Sequence, residues 1–174
     1  MPSNLSDPRL KWIKSLTWFF LFGLVISGAT ALPLQTELDF LARFFEGNGP
    51  AHASGLAVWI LKVRDALDRT YAAYPFMAYG TDWLAFGHFA IGIAFIGALR
   101  DPVRNRWLYL FGMICCVLVI PFAMLCGAIR GIPFYWRLID CSFGIFGALP
   151  LLYCLHLTRL MRMSIKEQSS LRPT

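Results

Sequence analysis

Charge is scarce in this chain. Only 15% of its 174 residues are Asp, Glu, Lys or Arg, against roughly a quarter in soluble domains. A soluble protein of this size could not hide 57% hydrophobic residues, because roughly a third of its chain surface stays wet. Other signals are missing altogether. There is no CxxC pair, no Cys/His ligand spacing, no nucleotide-binding glycine loop and no serine-nucleophile motif, so the sequence implies no metal and no cofactor. The three histidines do not suit a bis-His haem: His88 and His156 fall at opposite ends of their apolar runs, and His52 lies in a loop. No internal repeat, low-complexity run or heptad array is present.

Five cysteines are an odd number. Cys115, Cys116, Cys141 and Cys154 fall within apolar runs and Cys126 near the end of one, where cysteine acts as a small hydrophobe. A Cys126–Cys141 bridge would have to span a depth difference of roughly 7 Å, too much for a relaxed disulfide. The net charge of +6 does not point to nucleic acid, because the basic residues flank apolar runs instead of forming a stripe with interleaved aromatics. They read as a topology signal and as contacts to anionic lipid.

What the chain does have is apolar length. About 20 apolar residues cross a bilayer as a helix, and four such spans stand out, at residues 16–34, 80–99, 107–128 and 134–157. Trp18, Trp83, Trp107, Tyr109, Tyr135 and Trp136 sit near span ends, as interfacial anchors do. The expected fold is all-α: a polytopic four-helix membrane bundle forming a single membrane domain over residues 1–174. With both termini cytoplasmic, the inside carries Arg9, Lys11, Lys14, Arg100, Arg104, Arg106, Arg159, Arg162, Lys166 and Arg172. The outside carries Arg43, Lys62, Arg64, Arg69, Arg130 and Arg137. The positive-inside rule favours that orientation. The first span also imitates a secretory signal, with Lys11 and Lys14, an apolar core and Ala29-Thr30-Ala31; its length fits a retained span better.

The outer segment 35–79 is too long for a bare connection. Thr36 to Glu46 reads as a short helix with Leu38, Leu41, Phe44 and Phe45 on its apolar face, and Asn48-Gly49-Pro50 breaks it. A second helix starts near Ser54, with Leu56, Ile60, Val63, Leu67 and Tyr71 at helical spacing. Both are expected to lie on the outer leaflet or to cap the bundle. Small-residue ridges, Ala90/Ala94/Ala98 on the second span and Gly144/Ala148 on the fourth, suit close helix packing. Pro121 and Pro150 fall mid-span and are expected to kink their helices.

The functional pointer is polar. Asp82, His88, Arg137 and Asp140 lie in the outer halves of the second and fourth spans, and Arg130 lies in the tight turn before the fourth. Charges at membrane depth normally face a partner, a cavity or a ligand. From their span starts, His88 is about 12 Å deep and Asp140 about 9 Å, with Asp82 and Arg137 shallower. Arg137 and Asp140 can pair at i,i+3. His88 with Asp140 is the pair favoured by depth, the carboxylate fixing the imidazole tautomer. A structural network of snorkelling residues and ion pairs is the competing reading of the same set.

The blocks AYGTDWLAFGH (78–88), LRDPVRNRW (99–107) and RGIPFYWRLIDCSFG (130–144) resemble those of small bacterial four-helix inner-membrane proteins of uncharacterised role. The resemblance implies a bacterial plasma-membrane location and no particular activity. The emopamil-binding and sigma-2 receptor class is similar in architecture alone.

Three functions are open at this point. The first is a binding or accessory protein with an outward-facing pocket for a lipid, a small apolar ligand or a partner helix. In it Arg130 and Arg137 meet an anion, Asp140 orients Arg137, and Tyr79, Trp83, Tyr135 and Trp136 line the mouth, with Asp82 and His88 beside them. The second is an enzyme acting on a lipid or lipid-linked substrate, with His88 as general base and Asp140 as its orienting partner. The third is a proton-coupled transporter subunit using Asp82, His88 and Asp140 as a relay, disfavoured because nothing polar continues through the inner half of the second or fourth span. Expected partners are membrane lipids and a second copy or partner membrane protein, not nucleic acid.

Overall fold

The computed structural model describes residues 7–45 and 54–170. The described residues form six α-helices and one short 3-10 turn, with no strand among them. In chain order these are α1 (Pro8–Ala31), α2 (Leu34–Phe45), α3 (Gly55–Ala73), the turn Pro75–Ala78, α4 (Tyr79–Arg100), α5 (Arg106–Ile129) and α6 (Phe134–Ser170). Four of them, α1, α4, α5 and α6, are long and apolar enough to cross a membrane. Large apolar side chains such as Phe22, Ile93, Phe122 and Phe143 are exposed on all four, an exterior that lipid solvates and water does not. The chain is an all-α integral membrane protein.

The helices outrun the expected spans. The basic lead of Arg9, Lys11 and Lys14 is already helical, because α1 starts at Pro8, a residue suited to a first helical position. Asp7 caps that start: its Oδ1 accepts the Arg9 backbone N–H at 2.9 Å, and its carboxylate pairs with the Arg9 guanidinium at 2.8 Å. The Arg9 hydrogen bond holds the Asp7 carboxyl below the usual carboxylate range. α6 continues past Leu157 to Ser170, so Arg159, Arg162 and Lys166 extend the same helix. Neither internal proline ends its helix: α5 passes Pro121 and α6 passes Pro150. Glu46, the Asn48-Gly49-Pro50 break, His52 and Arg172 lie outside the described residues.

Two compact units divide the chain, Met1–Gly23 with Gly92–Thr174, and Leu24–Ile91. In the first, α5 and α6 form a tight hairpin. Its turn is a Schellman motif: the Ile132 N–H bonds Gly127 O at 2.8 Å and the Gly131 N–H bonds Ala128 O at 3.2 Å. Gly131 has φ +69°, the left-handed region that side chains resist, and Pro133 then stops any continuation before α6. Gly131→Ala should lower stability by about 1 kcal/mol, read as a lower unfolding midpoint in a denaturant titration in detergent.

The hairpin closes over glycine. A Cβ at Gly144 would lie 2.5 Å from the Cys116 carbonyl oxygen and 2.5 Å from Val119 Cγ1, so α6 is seated against the α5 backbone. Gly144 is buried and Ala148 half-buried, in keeping with the expected ridge. The ridge on α4 is different: Ala98 is buried but Ala90 and Ala94 are exposed. Phe95 supplies the volume instead, its ring 5.0 Å from Phe20 and 6.2 Å from Tyr109. All five cysteines are free. Cys141 and Cys154 are buried, whereas Cys115 and Cys126 are exposed on the apolar exterior, so only some of them fill the core.

In the second unit, α2 packs on α3 through Leu38 and Ala42 on one side and Ala57 and Ile60 on the other. Gln35 Nε2 donates to Asp68 Oδ1 at 2.6 Å. Ser54 caps α3 by accepting the Ala57 N–H, where the sequence places the helix start. The apolar faces are narrower than expected. Leu41 and Phe44 of α2 and Leu56 of α3 are exposed, because a single partner helix covers only one stripe of each.

Candidate functional site

The nine residues singled out from sequence fall into both units. Tyr79, Asp82, Trp83 and His88 belong to α4 within Leu24–Ile91. Arg130, Tyr135, Trp136, Arg137 and Asp140 belong to the α5–α6 hairpin of the other unit. Each group is built from its own helix.

On the hairpin, Arg137 does not pair with Asp140. Its stem lies flat on Gly127, where a Cβ would meet Arg137 Cδ at 2.5 Å and Cγ at 2.6 Å. From there Nη1 donates to Met124 O at 3.3 Å, and the guanidinium sits 5.4 Å from the centre of the Phe134 ring. The cation therefore lies over the C-terminal part of α5, where the helix dipole is negative. Met124 O is also an intrahelical acceptor, and a carbonyl has two lone pairs to share. Only Nε of this side chain is buried without a partner. The expected i,i+3 pair is replaced by a bond between helices because Gly127 opens a path for the stem, and a side chain at that position would close it.

Asp140 is consequently alone. It is half-buried, and its carboxylate makes no ion pair and no hydrogen bond to any described residue. Helical spacing puts it on the side of α6 shared with Trp136, Phe143 and Gly147. Arg130 occupies the C-cap of α5 with an exposed side chain. Tyr135 is exposed and Trp136 half-buried.

On α4, His88 is held at both ring nitrogens. Nδ1 lies 2.8 Å from Leu84 O, and only a protonated nitrogen donates to a carbonyl, so the neutral ring carries its proton there. Nε2 then accepts from Ser27 Oγ on α1, at 3.4 Å. Gly28 permits this approach: a Cβ on it would be 2.8 Å from His88 Cβ. The tautomer that a carboxylate was expected to fix is set by a backbone carbonyl of the same helix. Ser27 is the residue the sequence reading missed. Its only signal was the small Ser27-Gly28 pair within an apolar span, a common mark of a helix contact.

A hydroxyl facing an oriented imidazole is half of an acyl-transfer arrangement. The other half is a set of N–H donors for an oxyanion, and the backbone N–H groups around Ser27 and His88 lie inside continuous helices, where intrahelical bonds use them. Asp82 is exposed in the first turn of α4, a position where the helix dipole favours an acid. Tyr79 and Trp83 stack edge to face at 5.8 Å, and Trp83 and Phe86 do so at 5.4 Å. All three are exposed, forming an aromatic ladder of the kind that anchors a span at the interface.

Two open hollows are lined by other residues. One, of about 520 Å³, is bounded by Trp12, Leu16, Phe19, Phe146, Leu149, Pro150 and Tyr153; another, of about 440 Å³, by Pro33, Thr36, Glu37, Phe40 and Leu41. No protein-family model, curated protein or solved structure matches the chain.

Proposed function

We propose that this integral membrane protein is a binding or accessory protein, and that Asp140 is the group that meets its partner. One observation carries the reading. Asp140 is a half-buried carboxylate in a membrane-spanning helix with no partner among the described residues, while the arginine one turn away is committed to α5. An unpaired charge at that depth costs a few kcal/mol even on lenient scales. A donor from outside the chain offsets that cost: the ammonium of a lipid headgroup or a cationic side chain of a partner helix. Tyr135 and Trp136, on the same end of α6, supply aromatic surface for either.

The bacterial plasma membrane, with both termini cytoplasmic, is the setting we propose. The distribution of arginine and lysine supports it, as does the continuation of α6 into Arg159, Arg162 and Lys166, which suits an anionic inner leaflet.

Native mass spectrometry of the chain released from membrane particles tests the reading. Wild-type protein should retain a lipid or a partner peptide, and Asp140→Leu should reduce its occupancy by about tenfold, equivalent to 1.4 kcal/mol. Asp140→Leu should also leave thermal stability unchanged or raised, because no internal bond is lost. Equal retention in both proteins, or none in either, would overturn the proposal.

A further inference from the structure

We infer that α2 is an interfacial helix whose free face, Phe40, Leu41 and Phe44, is buried in the lipid leaflet next to the exit of α1. α2 has two faces. Leu38 and Ala42 are 7% and 0% exposed against α3, while Phe40, Leu41 and Phe44 are 60%, 41% and 66% exposed. At 100° per residue Phe40 and Phe44 lie about 120–160° from Leu38 and Ala42, and Leu41 borders them on the side nearer Leu38. The two phenyl rings meet edge to face at 5.1 Å, so the exposed face is one aromatic plate.

The occupant follows from where α2 starts. Only Leu32 and Pro33 separate it from the end of the membrane-spanning α1, and the turn is tight: Leu32 N–H bonds Ala29 O and Glu37 N–H bonds Pro33 O. Three residue steps reach at most about 11 Å, and these turn bonds hold the chain shorter than that, so α2 begins at the headgroup layer, roughly 5–7 Å deep in a typical bilayer. The far end of the same unit is tethered equally closely. α3 passes through Pro75–Ala78 directly into α4, and Phe76 and Met77 there are exposed as well. An aromatic plate held at that height meets acyl chains before it meets water or another protein. Glu37 lies on the same face, but in the first turn of α2, where the helix dipole and headgroup ammoniums accommodate a carboxylate.

The test uses the full chain in phosphatidylcholine nanodiscs, with a single trifluoromethyl-phenylalanine replacing Phe40 or Phe44. Fluorine relaxation is compared with dissolved oxygen, which concentrates in lipid, and with a water-soluble nickel chelate. At both positions oxygen should act several-fold more strongly than nickel, and the same label at exposed Arg43 should show a smaller ratio. A stronger nickel effect at positions 40 and 44 would place the plate in water. Weak effects of both agents would mean that protein, such as a second copy, covers it. Either result overturns the assignment. Should the label disturb folding, emission of Phe44→Trp quenched by bromines near the top of the acyl chains provides the same decision.

Discussion

Replacing Gly144 by alanine should lower the stability of the bundle by about 1–3 kcal/mol, the range for forcing extra volume into a close-packed site. The added Cβ would lie 2.5 Å from the Cys116 carbonyl oxygen and 2.5 Å from Val119 Cγ1. The first of these is backbone and cannot rotate away, so α5 and α6 must part along their length. That separation also draws Arg137 Nη1 from Met124 O and Cys141 Sγ from Ile120 O. Gly147→Ala should do less harm, because its Cβ would meet the Cys116 sulfur at 3.0 Å and a side chain can give. Gly23→Ala has open space and should be neutral or mildly stabilising, since alanine is favoured over glycine in a helix by about 1 kcal/mol. Chemical unfolding in detergent, followed by circular dichroism, reads the order. A Gly144→Ala protein as stable as Gly23→Ala would remove the case for a backbone contact.

Tyr109→Ala should cost more, about 3–5 kcal/mol, as deletion of a fully buried aromatic does. Tyr109 is 0% exposed and touches Phe95. Its hydroxyl is 2.9 Å from Thr17 Oγ1 and donates to Ala98 O at 3.4 Å. The Ala98 carbonyl needs that donor. Its helical partner would be the amide of residue 102, which is Pro102 and has no N–H. With the tyrosine hydroxyl donating to Ala98, the Thr17 hydroxyl sits between it and Ile13 O, 2.7 Å away. α1, α4 and α5 thus share one buried polar cluster, with Cys154 Sγ of α6 at its edge, 3.7 Å from Ile13 O. Tyr109→Phe keeps the ring and should cost about 1–2 kcal/mol, chiefly through the stranded carbonyl. A cycle with Thr17→Val should give a coupling of roughly 0.6–1.7 kcal/mol, from the average to the largest value for hydrogen bonds between membrane helices. Zero coupling would mean that the two hydroxyls pack without bonding.

Much of the fold was legible because bilayer thickness sets the length of an apolar run. The four spans were visible from it, as were the cap at Ser54 and the turn around Gly131 and Pro133, each carried by residues within a few positions of one another. The site was less legible. Arg137 is long enough for either Asp140 on its own helix or Met124 O on α5, and it takes the second, whereas spacing along α6 ranks only the first. His88 was matched to Asp140 by depth, whereas its proton is held four residues away, at Leu84 O. Depth says how far a group lies from water and nothing about which way it turns.

By itself, then, the sequence determined that this chain lives in a membrane, with four apolar helices and an amphipathic segment between the first two. Those properties depend on local pattern and on the solvent, and both can be read along one dimension. Tertiary structure decided which polar groups are satisfied and which is left over. A small residue on one helix, Gly127 or Gly28, opens the space that a long or polar side chain on another then fills. That choice took Arg137 away from its neighbour, gave Ser27 to His88, and left Asp140 half-buried in α6 without a partner among the described residues.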